Sequence, residues 1–139
     1  MNLEQLKEKY EKYAYKVGYY TYEQEDFKKA TYNVNRANEI GLFIYKYLKR
    51  MDIIEEYMNN KEIYIKLFSM FFVFHQTHNK SIVKQIEEYT KRKDLIGHYC
   101  REFIYAYKMG GLTSKEFINA NLLEEEKLLK KYLKKNNLI

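Results

Sequence analysis

FKKATYNVNRANEIGLFIYKYLKRM, residues 27–51, decides how this chain is read. Phe27, Ala30, Val34, Ala37, Gly41, Ile44, Leu48 and Met51 recur at alternating intervals of three and four. That spacing keeps them on one side of a 3.6-residue helix. It predicts a single long helix packed at a shallow angle against a neighbour. Ala30, Ala37 and Gly41 are small and let the neighbour approach closely. The same stripe suits pairing of two copies, so a homodimer through the Phe27–Met51 seam stands beside packing within one chain.

Upstream, Leu3, Leu6, Tyr10, Tyr13 and Val17 repeat the helical spacing behind Asn2, and Gln5 sits where a capping box places its partner. GYYTYEQ, residues 18–24, reads as a turn or as a continuation of that helix. Downstream, Asp52 and Glu55 form a second capping-box pattern, opening a short helix that ends near Asn59-Asn60. IYIKLFSMFFVF, residues 63–74, is apolar nearly all round and belongs at the centre. Asn79 or Ser81 opens a helix to Thr90 with Ile82, Ile86 and Tyr89 inward. A charged link, Lys91-Arg92-Lys93-Asp94, leads to a helix from Leu95 to Met109, which Gly110-Gly111 ends. Thr113 with Glu116 caps the last helix, whose acids come early and whose lysines come late, as the helix dipole favours. The expectation is an all-α, single-domain helical bundle over 1–139, with about six or seven helices around residues 63–74.

Composition narrows the class. With no proline and five glycines there are few breakers, which favours long helices. A lone cysteine, Cys100, excludes an intramolecular disulfide and fits a reducing, cytoplasmic setting. The N-terminus lacks the apolar core of a signal peptide. The 63–74 run is too short for a bilayer, which takes roughly 20 residues, so no membrane partner is expected. Sixteen tyrosines, many lysines and asparagines and no proline match AT-rich codons, as in a low-GC bacterium or its phages. The net charge of +6 is uneven: residues 1–60 carry 10 basic and 10 acidic side chains, and residues 61–139 carry 15 and 9. The basic second part can attract an anionic partner.

Two stretches resemble known families. AYKVGYYTYEQEDFKKATYNVNRA, residues 14–37, resembles one tetratricopeptide repeat through Val17-Gly18, Phe27, Ala30 and Ala37. The resemblance implies a helical hairpin of the kind that stacks into peptide-binding grooves. RKDLIGHY, residues 92–99, resembles the arginine–histidine motif of the HEPN family, small helical proteins that include metal-independent ribonucleases. It implies Arg92 on the scissile phosphate, His98 as acid–base and Tyr99 beside it.

Other chemistry is sparse. His75 and His78 share a face at metal-ligand spacing, but His98 and Cys100 point to opposite sides of their helix, so at most one could join them. Cys100 reads as a buried, inert thiol. No serine elbow or glycine-rich phosphate loop is present. No metal or cofactor is therefore expected. Lys80, Lys84, Lys91, Arg92, Lys93 and Arg101, interleaved with Tyr89 and Tyr99, are the candidates for nucleic acid. The leading expectation is a non-enzymatic interaction protein that binds a protein or peptide partner and modulates it, of the kind found as phage or mobile-element accessory proteins. Nucleic-acid binding through residues 80–135 and HEPN-like RNA cleavage follow it.

Overall fold

The computed structural model describes residues 2–139. Seven α-helices carry the fold: α1 (Leu3–Gly18), α2 (Phe27–Leu42), α3 (Met51–Glu56), α4 (Ile63–Thr77), α5 (Lys80–Glu87), α6 (Leu95–Lys108) and α7 (Lys115–Lys135). No strand occurs among the described residues. The expected all-α bundle with a central apolar helix is what is found. Asn2 and Gln5 form the capping box at α1. Asn79 caps α5, and Asp94 caps α6.

α4 is the hub. Leu67, Met70, Val73 and Phe74 are almost wholly buried. Ser69, fully buried, shares a 2.7 Å hydrogen bond with the Tyr10 hydroxyl of α1. That bond satisfies two polar groups that would otherwise be buried unpaired. Tyr10 also packs on Tyr57 and Phe68, so one side chain joins α1, the turn after α3 and α4. α1 and α2 form the predicted hairpin. α5 buries Ile82, Val83 and Ile86, and α6 buries Ile96, Cys100 and Ile104.

The long helix expected over 27–51 forms but stops short of Met51. α2 ends at Leu42, loosens into a π turn over Phe43–Tyr47 and stops, and Lys49 adopts φ +55 before α3 begins at Met51. α1 ends in the same way: a π turn over Tyr19–Glu23, then Glu25 at φ +49. In both, the amide after the left-handed residue bonds back six positions, Asp26 to Tyr20 and Arg50 to Ile44. GYYTYEQ thus continues its helix and then closes it. Of the seam, Ala30, Ala37, Gly41 and Ile44 are buried within the chain, while Phe27, Leu48 and Met51 are exposed. Gly41 lies against Phe72 of α4 and Tyr10 of α1, so the chain's own helices cover the centre of the seam.

Two caps are also corrected. Asp52 does not cap α3; it accepts two 3.0 Å bonds from Arg50, the capping position itself. Ser114, not Thr113, caps α7, accepting from the Phe117 amide.

α7 packs back across the first part of the chain. Tyr132 meets Phe43, and Glu125 accepts from Lys46 of the π turn after α2 and from Gln76 of α4. Near its end, Lys131 and Lys135 face Glu39, a carboxylate 4% exposed and held at 2.7 Å by Arg36. The lysines that follow the acids in α7 therefore answer an acid on α2 as well as the helix dipole. Among the described residues no helix is long and apolar enough to cross a membrane.

Candidate functional site

Residues 80–108 contain the sequence-derived candidates. The link before α6 is pinned rather than loose. The Arg101 guanidinium donates to the carbonyls of Thr90 and Arg92 at 2.8 and 2.7 Å. Gly97 makes this possible, since a Cβ there would stand 2.0 Å from the Arg92 carbonyl oxygen. The Arg92 guanidinium turns onto Asp94, with N–O distances of 2.6 to 3.2 Å. That contact, with the Gly97 amide, holds the Asp94 carboxyl down at about 2.

The arginine and histidine of the HEPN-like motif are thus each held by a carboxylate of their own. Arg92 has Asp94, and exposed His98 has Glu102 at 3.2 Å. Tyr99 contacts the His98 ring at 5.3 Å and is half-buried. Lys80, Lys84, Lys91 and Lys93 are exposed, and none has an acidic partner among the described residues. Cys100 is fully buried, and burial pushes its thiol up to about 11. His75 and His78 both contact Phe74, with ring centroids at 5.5 and 5.8 Å. Among the described residues no three His, Cys, Asp or Glu side chains stand together as a metal site.

The side chains that do assemble are tyrosines, of which sequence position singled out Tyr99 alone. Tyr64 of α4 lies 5.5 Å from Tyr15 and 5.7 Å from Tyr22, and Tyr22 lies 5.9 Å from Tyr99. Tyr15 stacks on Tyr19, and Tyr19 meets Tyr20 edge-on at 5.1 Å. Gly18 permits this cluster: a Cβ there would fall 2.2 Å from the Tyr64 ring carbon Cγ. The Tyr64 hydroxyl donates to Glu23 at 2.6 Å, tying α4 to the π turn. Desolvation, with that carboxylate beside it, raises the Tyr64 phenol above its ordinary range.

The outer edge of the cluster opens as a groove of about 560 Å³ along α1. Tyr15, Tyr19, Tyr20 and Ile65 line it, and Glu8, Glu11, Lys12 and Lys16 rim it. Positions 8, 11, 12, 15 and 16 of α1 and 19 of its π turn follow the helical three-and-four spacing. The signal in the sequence was tyrosine density between Tyr10 and Tyr22, but codon bias explains such density equally well until the rings are seen together. Comparison of the chain with family models, with curated proteins and with solved structures finds no match.

Proposed function

We propose that this protein is a non-enzymatic interaction module that binds a protein or peptide partner through the tyrosine groove of α1. One observation carries the reading: aromatic rings from α1 and its π turn, with Ile65 of α4, line an open groove with charges of both signs at its edge. Buried aromatic anchors surrounded by a polar rim are the usual anatomy of a protein interface. Tyrosine suits the role because it presents a large rigid ring at the cost of few rotatable bonds.

The test is capture of a host protein on the immobilised chain, compared with two double variants. Tyr15→Ala with Tyr19→Ala removes the anchors. Tyr105→Ala with Met109→Ala removes a more exposed apolar pair elsewhere, at the end of α6. Binding of the captured partner is expected to weaken by roughly 30-fold or more in the first variant, as for loss of an interface hot spot. It should hold in the second. Unchanged binding after loss of both tyrosines defeats the proposal.

The four lysines without acidic partners support a second reading, a face for nucleic acid. In that case RNA or DNA binding falls steeply between about 50 and 200 mM salt. A flat salt response removes this second reading and leaves the first intact.

A further inference from the structure

A smaller pocket lies on a different face, where α2, α4 and α7 meet. Each helix contributes residues one or two turns apart: Asn35 and Asn38 from α2, His75 from α4, and Asn121, Glu124 and Glu125 from α7. Leu42, Phe72 and Leu128 form an apolar floor, with Leu42 and Phe72 buried. The notch holds about 180 Å³, or roughly six waters at ~30 Å³ each. That is smaller than the ~300–1,000 Å³ of drug-sized pockets, so it suits one compact ring system.

Glu125 is already held by Lys46 and Gln76, but the rest of the hydrogen-bonding capacity here is unspent. The amides of Asn35, Asn38 and Asn121 make no side-chain bond among the described residues, and the buried Nδ1 of His75 has no partner. Burial, with His78 nearby, lowers the His75 pKa, so the imidazole in the notch wall is neutral at physiological pH and brings no charge to it. Amides, which carry both donors and an acceptor, call for a ligand that both donates and accepts. A guanidinium or ammonium group only donates and would leave the amide N–H groups unanswered. A phosphate only accepts, and it would face Glu124 and Glu125.

We propose that this notch binds an uncharged planar heterocycle bearing amino donors and ring-nitrogen acceptors, that is, a nucleobase presented as a free nucleoside. The apolar floor takes the ring, an asparagine amide matches the paired donor and acceptor of a base edge, and Glu124 receives an exocyclic amino group. The proposal is independent of the tyrosine groove, because Tyr15 and Tyr19 line the groove and not the notch.

The test is titration of isotope-labelled full-length protein with adenosine and guanosine. AMP, GMP, a short oligonucleotide and N-acetylargininamide serve as comparisons. At least one nucleoside is expected to give saturable shifts confined to the side-chain amides of Asn35, Asn38 and Asn121 and the ring of His75. Its monophosphate should bind several-fold more weakly. Asn38→Leu and Asn121→Leu, each checked for an unchanged thermal midpoint, should weaken binding at least about fivefold. Shifts by neither nucleoside, shifts that survive both substitutions, or tighter binding of the monophosphate or the argininamide would each overturn the proposal. If only the oligonucleotide shifts these residues, the free-nucleoside source is wrong. Where one variant does not fold, the other together with the wild-type titration decides.

Discussion

Gly18 shows how much one absent side chain can organise. Its Cα faces the root of the Tyr64 side chain, with Cβ and Cγ 2.4 and 2.2 Å from where an added Cβ would stand. These atoms cannot swing away as the tip of a long side chain can, so α1 and α4 would have to separate. Gly18→Ala is therefore expected to destabilise the fold by about 1–3 kcal/mol, although alanine is the better helix former by about 1 kcal/mol. Chemical denaturation measures this, and a stabilised variant would show that the contact relaxes freely. Gly97 meets the backbone carbonyl of Arg92 first and then the Arg101 guanidinium, so alanine there should dislodge the link that Arg101 clamps.

The elements show how these helices stop without glycine. Glu25, Lys49, His78 and Asn137 take left-handed conformations, whereas Gly110 is the one described glycine that does. A left-handed residue other than glycine costs about 1–2 kcal/mol, and here the surrounding turn offsets it. At Lys49 the closing bonds are Leu48 to Phe43 and Arg50 to Ile44. Lys49→Gly should raise the thermal midpoint by relieving the strain, and Lys49→Val, branched at Cβ, should lower it. The opposite order would mean that this turn is not held as described. Because the two π turns resemble each other, α1 and α2 end by a shared device, and it places Tyr19 and Tyr20 at the groove.

Across the whole molecule, pH acts through a histidine that packing keeps uncharged. Desolvation and the neighbouring His78 lower the His75 pKa in the folded state from its ordinary 6.5. Below about 6.5 the unfolded chain binds the proton more readily than the folded one. The stability this histidine contributes is thus intact above that pH and is lost as pH falls towards the lower folded pKa. Denaturant midpoints between pH 7.5 and 5 should fall more steeply in the wild type than in His75→Gln. Equal slopes would show that His75 protonates as easily folded as unfolded. Phe74, Phe103 and Phe117 surround the ring, so the effect links α4, α6 and α7.

Periodicity was enough to identify the helices, the central place of Ile63–Phe74, the Asn2–Gln5 capping box and the hairpin of the first two helices. These features depend on residues three or four apart, so short stretches encode them. Arg92, His98 and the exposed lysines were also legible as residues, but not the carboxylates that occupy two of them. The end of α2 was hidden, because a left-handed lysine carries no mark that a left-handed glycine would. The tyrosine groove and the polar notch were hidden too. Tyr15 and Tyr64 are 49 positions apart, and Asn38 and Asn121 are 83. Burial of the intervening helices brings each pair to one place, and no local pattern records that approach.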